Sequence, residues 1–205
     1  MNAKITATAH NAPEKVMTNF DLEKLVDTSD EWIQSRTGIV QRHVVAKDEA
    51  SSDISTRIAH SLLEKSQMSP DELDLILVGT VTPDHFTPST AALVQKNIKA
   101  NNAWGYDLSA ACSGFLFGLE TGANFIASGR YKRVMVIGVD TMTSILDFQD
   151  RDTCVIFGDG GGGVILEPTS DGNGIVDSIL HMDGSGGDYL IVPGGGSRIP
   201  ASLES

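Results

Sequence analysis

An α/β layered fold with a largely parallel sheet is what this sequence predicts, and three observations predict it. Strand-like and helix-like patterns alternate along the chain, the order expected of helices packed on a parallel sheet. The runs "LDLILVGTV" and "RVMVIGVD" are apolar almost without a break, as strands covered on both faces are. The hydrophobic fraction of 40% and charged fraction of 20% are those of an ordinary globular protein. Right-handed crossovers would then place helices on both faces of the sheet.

The elements follow in order. "KITATAH" alternates and reads as a strand that Pro13 closes. "TNFDLEKLVDTSDEWIQSRTG" reads as two short helices, with Phe20, Leu22, Leu25 and Val26 on one apolar face. Ser29 or Asp30 caps the second helix and Gly38 ends it. "IVQRHVV" is a second strand. "SSDISTRIAHSLLEKSQM" is an amphipathic helix whose buried side carries Ile54, Ile58, Ala59, Leu62 and Leu63. "SPDEL" is a helical turn with Ser69 as cap and Pro70 at its first position.

After the strand "LDLILVGTV", Pro88 opens the helix "PSTAALVQKNIKA". "AWGYDLS" is a strand, Cys112 to Ser128 a helix, and "RVMVIGVD" another buried strand. "CVIFGDGGGGVILEP" reads as two strand-like pieces around a glycine turn, and "GIVDSILHM" as one more strand. Beyond about Asp183 the chain is rich in glycine and shows neither helical nor strand periodicity.

The bulk properties exclude some functions. A net charge of −12 leaves no basic footprint for nucleic acid. Local arginines can still hold a phosphate. No apolar run approaches the ~20 residues of a membrane helix, and the first residues lack the apolar core of a signal peptide. Two cysteines make no disulfide framework. Together these features predict a soluble, cytoplasmic protein that binds neither nucleic acid nor membrane.

Five features carry candidate chemistry. Cys112 stands in "DLSAACSGF", at a strand-to-helix hinge among small residues. There the helix dipole and unpaired backbone N–H groups favour a negatively charged sulfur and can hold an oxyanion. The same position also suits a small buried hydrophobe. Cys154, inside "TCVIFG", is expected to be a buried packing residue. The two are not spaced as a metal pair, and the five histidines form no metal-like pair on a helix. "GDGGGG", Gly158 to Gly163, lacks the Lys-Ser/Thr of a nucleotide loop and reads as a tight turn. Trp32 and Arg36, four apart, share one helix face. They can stack an adenine and meet a phosphate, or pack in the core and pair with a surface acid.

Four segments in order, "TSDEWIQSRTGI", "DLSAACSGF", "RDTCVIFGDGGGGVIL" and "HMDGSGGDYL", resemble beta-ketoacyl-acyl carrier protein synthase III, a condensing enzyme of the thiolase superfamily. The resemblance runs from the first strand to about Pro193. It implies a thiolase-like layered fold, of which this chain is the first α/β half, with a mixed, mostly parallel five-stranded sheet flanked by helices. It implies that Cys112 is the acylated nucleophile. Trp32, Arg36, Arg151 and Thr28 would contact coenzyme A, with Trp32 and Arg151 flanking the adenine. Met142, Ile156 and Phe157 would line the acyl pocket, and Thr87 would leave room there for the acyl chain. No resident cofactor or metal is implied, coenzyme A thioester being a substrate. The implied partners are acyl-CoA, a malonyl thioester on acyl carrier protein, and a second copy of the chain in a homodimer.

In the family a histidine and an asparagine polarise the malonyl carbonyl, and both come from the second half of the fold. No histidine here sits in a matching motif. The resemblance therefore divides the chain into a nucleophile-bearing half-domain, residues 1–170, and the start of a connection to a further half, residues 171–205. It implies a condensing acyltransferase of fatty-acid initiation. The alternatives are a related enzyme for polyketide or quinolone starters or hydroxymethylglutaryl-CoA, and a non-catalytic half-domain subunit.

Overall fold

Apolar alternation at the N-terminus and apolar runs further on build one five-stranded sheet. The structure is a computed structural model and describes residues 2–202. In chain order its elements are β1 (Asn2–Asn11), β2 (Val16–Thr18), α1 (Asn19–Leu22), α2 (Asp30–Thr37), β3 (Gln41–His43), α3 (Ser51–Ser66) and β4 (Leu75–Gly79). Then come α4 (Thr90–Ile98), β5 (Trp104–Leu108), α5 (Gly114–Ala127), β6 (Val134–Thr141), α6 (Arg151–Cys154) and β7 (Asp159–Thr169). Short 3-10 turns lie at Pro70–Glu72, Ala111–Ser113, Met142–Ser144 and Gly184–Tyr189.

The sheet order is β1-β7-β6-β4-β5. β4 pairs in parallel with β5 and with β6, and β7 is antiparallel to both β6 and β1. Four strands therefore run one way and β7 runs against them, which is the mixed sheet expected. Because side chains alternate along a strand, β4 and β6 feed two cores. Ile76, Val78, Met135 and Ile137 meet Ile54, Ile58 and Leu62 of α3 and Val94 of α4. Leu75, Leu77, Val134 and Val136 meet Ile126 of α5. A third, smaller cluster holds Leu22, Ile33, Cys154 and Val155, with Trp32 packed against it.

α5 lies close on the sheet because Gly114, Gly118 and Gly122 form its buried stripe. A Cβ on Gly118 would fall 2.8 Å from Val136 Cγ1, and one on Gly122 2.9 Å from Leu166 Cδ1.

Several local expectations need correction. Only Leu22 of the α1 face is fully buried; Val26 is partly buried, while Phe20 (60% exposed) and Leu25 point outward. α1 is a single turn, too short to hold a continuous stripe. "IVQRHVV" contributes only β3, paired with the unforeseen β2 in a separate two-stranded sheet. Ser89, not Pro88, caps α4, its hydroxyl accepting from Ala92 N. The "SPDEL" turn is as expected, with Ser69 as its cap and Pro70 first, and the Glu72 carboxylate also accepts from Ser69 N. The helix expected from Cys112 begins at Gly114, after the 3-10 turn.

The glycine run is not a turn. "DGGGGVILEPT" is one strand, β7, hydrogen-bonded on both sides. Glycine is needed there for close approach: a Cβ on Gly161 would lie 2.8 Å from Gly138 O and 3.0 Å from Ile58 Cδ1. Cys154 sits in α6 rather than a strand, though it is buried as expected. "GIVDSILHM" forms no strand; Ile175 N donates to Ala3 O at 2.8 Å and regular pairing goes no further. Its alternation resembles a strand's, but Val176, Ile179 and Met182 are all exposed among the described residues.

Candidate active site

The position of Cys112 follows from two paired glycines. Gly79, the last residue of β4, stands opposite Gly138 of β6. A Cβ on Gly79 would lie 2.7 Å from the Gly114 carbonyl carbon, and one on Gly138 3.0 Å from Phe115 Cβ. The pair forms a notch at the carboxyl ends of parallel strands, and the start of α5 sits in it. Ligands of α/β sheets bind at that edge.

The turn leading into the notch is strained. Ala111 adopts φ 46°, in the left-handed region. For a non-glycine residue this costs on the order of 1–3 kcal/mol. Cys112 follows it directly and its thiol is exposed. It opens on a cavity of about 470 Å³ lined by Gly79, Phe115, Gly138, Asp140, Gly158 and, from β7, Gly160, Gly162 and Gly163, among others. So the run read as a turn instead floors this cavity, where its bare backbone leaves room. The Asp140 carboxylate at the edge accepts from Val81 N (2.8 Å), Thr82 Oγ1 (3.0 Å) and Thr80 Oγ1 (3.1 Å). These bonds pin the loop after β4. No histidine lines this cavity among the described residues.

Cys154 is the opposite case. It is 1% exposed, and burial, reinforced by the nearby Asp150, pushes its thiol pKa up.

A second group forms around Trp32. Ser29 Oγ accepts from Trp32 N at 3.1 Å and caps α2, and Gly38, at φ 75°, ends the helix. Trp32 and Arg36 do share a face: the Arg36 Cζ is 6.0 Å from the indole centre. Arg151, the first residue of α6, lies nearer, with Cζ at 4.3 Å. The structure thus brings Trp32, Arg36 and Arg151 together from α2 and α6. Thr28, just before α2, has a buried Oγ1 with no hydrogen-bond partner.

The remaining expected pocket residues are scattered. Thr87 lines a second cavity of about 950 Å³, with Val81, Phe86, Ile145 and Val192. Met142 begins a 3-10 turn after β6, and Ile156 (48% exposed) and Phe157 lie between α6 and β7. These three line neither cavity. Sequence reasoning missed Asp140 and the Gly79–Gly138 notch. A glycine closing "LILVG" and another inside "VMVIGVD" were the available signal. Among the described residues, no His, Cys, Asp and Glu side chains cluster to hold a metal ion, and no helix is long and apolar enough to cross a membrane.

Residues 106–184 match the family model of 3-oxoacyl-[acyl-carrier-protein] synthase III. The chain is 56% identical to the beta-ketoacyl-[acyl-carrier-protein] synthase III of Chlorobaculum tepidum, over 100% of this chain and 63% of that protein. The solved synthase III of Thermus thermophilus superposes with a TM-score of 0.88 at 39% identity, covering 92% of this chain and 58% of that one. A priming beta-ketosynthase of the R1128 polyketide pathway gives a TM-score of 0.79 at 32% identity, over 82% of this chain and 50% of the other. The chain spans less than two thirds of the length of the curated relatives it matches. In sequence and in fold it is similar to the N-terminal part of beta-ketoacyl-[acyl-carrier-protein] synthase III proteins.

Proposed function

We propose that this chain carries the acyl-transfer site of a beta-ketoacyl-acyl carrier protein synthase. The observation that carries the reading is the exposed Cys112 thiol, at a strained turn ahead of α5 and over a glycine-floored cavity. Its thiolate attacks the carbonyl carbon of an acyl-CoA, and a free backbone N–H at the Cys112 turn would hold the oxygen that becomes negative. Collapse breaks the bond to the coenzyme A sulfur, which leaves and takes a proton. Malonyl-acyl carrier protein then loses CO₂, and its freed electron pair attacks the Cys112 thioester. The products are 3-oxoacyl-acyl carrier protein and the restored thiol. The histidine and asparagine implied for this second step have no counterpart in the lining of the cavity. They belong to the further part of the fold, to which residues 171–205 lead from the half-domain of residues 1–170.

Trp32, Arg36, Arg151 and Thr28 hold coenzyme A in this reading. An adenine between Trp32 and Arg151 needs roughly 7 Å, two van der Waals contacts of ~3.5 Å. Arg151 therefore swings off the indole when the base enters. Thr87, in the second cavity, is assigned to the acyl chain in this reading; Met142, Ile156 and Phe157, which line neither cavity, are assigned to it by the resemblance alone. The partners are acyl carrier protein and a second copy of the chain: β5 is an open sheet edge, and such an edge pairs readily with its mate. The compartment is the cytoplasm. The likeness to a polyketide priming ketosynthase gives weaker support to a second reading, transfer of a polyketide starter onto the same Cys112.

The test is incubation with a panel of short acyl-CoAs, followed by intact mass measurement and peptide mapping. A thioester on Cys112, absent in Cys112→Ala, is expected. No adduct, or an adduct on Cys154, overturns the assignment.

A further inference from the structure

The proposed coenzyme A clamp stands on two elements distant in sequence, α2 with Trp32 and Arg36, and α6 with Arg151. Neither belongs to the five-stranded sheet. Both pack in the small third cluster, away from the two large cores. A hydrophobic cluster of four buried side chains is non-directional. It does not by itself fix one short helix against another to the precision a stacked base needs.

Arg42, on β3, joins them. It is only 6% exposed, and no carboxylate among the described residues pairs with it. Its Nη2 donates to Asn19 Oδ1 at 2.9 Å and to Val155 O at 3.1 Å. Its Nη1 donates, at a long 3.4 Å, to Met17 O, and its buried Nε has no partner. Asn19, itself buried, donates from Nδ2 to Asp30 Oδ1 at 2.8 Å and to Ile39 O at 2.7 Å. Asp30 is the first residue of α2, and Val155 directly follows α6. One guanidinium thus reaches the end of α6 directly and the start of α2 through one amide. Gly158 presses on it from the other side: a Cβ there would lie 2.7 Å from Arg42 Cβ. That glycine also lines the Cys112 cavity.

A buried cation without a carboxylate is expensive, and an apolar side chain of similar volume would fill the space at lower cost. What only the planar fork provides is two directed hydrogen bonds at a fixed angle. We infer that Arg42 is a positioning residue that fixes α6 against α2 and so sets the opening of the Trp32–Arg151 clamp. The identity of the ligand rests on the coenzyme A reading above; the geometric role does not. While Arg42 holds the Val155 carbonyl, only the Arg151 side chain moves when a base enters, and the helix stays in place.

The test uses the full chain carrying Trp104→Phe, which leaves Trp32 as its one indole. Two readouts are followed, acrylamide quenching of Trp32 and the Kd for coenzyme A by calorimetry. Arg42→Met is expected to raise quenching and to weaken coenzyme A about tenfold, the loss expected from about one buried hydrogen bond to a charged group. Arg42→Lys keeps a donor near both acceptors and is expected to recover part of both signals. A lower melting temperature with unchanged quenching and unchanged Kd would reduce Arg42 to packing and overturn the inference. Should Arg42→Met not fold, Asn19→Ser cuts the link to α2 and leaves the bond to Val155. A folded Asn19→Ser protein with parental quenching and Kd overturns it equally. If the parent binds no coenzyme A, the ligand reading falls, and the quenching series still decides the role of Arg42.

Discussion

Gly79 touches the backbone of Gly114: a Cβ on the first would stand 2.7 Å from the carbonyl carbon of the second. No rotamer relieves this contact, because both partners are main chain. Gly79→Ala must therefore push the start of α5 out of its notch and move Cys112 with it. Overpacking of this kind costs roughly 1–3 kcal/mol. Denaturant unfolding should show that loss, and iodoacetamide labelling of Cys112 should change in rate. Parental stability together with a parental labelling rate would mean that the notch does not position the thiol.

The Trp32 group gives a second prediction. Trp32→Ala should weaken coenzyme A by roughly 1–3 kcal/mol, the range for base–aromatic stacking. Arg36→Ala should weaken it in a way that added salt diminishes, since an exposed phosphate contact is screened. Calorimetry at low and high salt separates the two. Unchanged affinity in both variants would return these residues to a structural role.

How much of this was legible beforehand depends on which force placed each element. β4 and β6 were plain in "LDLILVGTV" and "RVMVIGVD", because full burial on both faces writes a continuous apolar run. α3 was plain for its single buried stripe. The nucleophile candidate was legible as a cysteine at a strand-to-helix hinge. The glycine start of β7 was not, because four successive glycines carry no hydrophobic period, and their reason lies in Ile58 of α3 packed on the sheet and Gly138 of the neighbouring β6. Phe20 and Leu25 misled because periodicity records spacing and not whether a surface waits to cover it. Arg42 was invisible for a related reason: its partners, Asn19 and Val155, are 23 and 113 positions away.

Cys154 ties stability to alkaline pH. Burial, then the carboxylate of Asp150, holds its thiol pKa above the ordinary 9.0, and Arg42 offsets part of this. The folded chain therefore keeps this proton to higher pH than the unfolded chain. Stability from this group is complete below the ordinary thiol value and is lost as pH rises through the raised one. Cys154→Ala removes the effect and leaves a small cavity. Its melting temperature should start lower at neutral pH, yet fall less than the parent's above about pH 9. Parallel declines in the two proteins would place the alkaline sensitivity elsewhere.

Thioester formation and condensation should separate on this chain. The first step asks for a reactive thiol, nearby N–H donors and a bound acyl donor, the roles that the proposed reading gives to the Cys112 turn and the Trp32 group. The second asks for donors to the enolate that develops on the malonyl group as CO₂ departs. The cavity lining offers glycine backbone, Phe115 and Asp140, and Asp140 already accepts three hydrogen bonds that hold the loop after β4. A carboxylate in that state repels a developing enolate instead of stabilising it. Given an acyl-CoA and malonyl-acyl carrier protein, residues 1–205 should accumulate acyl-Cys112 and release little 3-oxoacyl product. Mass spectrometry of the protein and chromatography of the product read the two steps separately. Product turnover on the order of 1 per second, an ordinary enzyme rate, would show that the Cys112 cavity carries the decarboxylation chemistry as well.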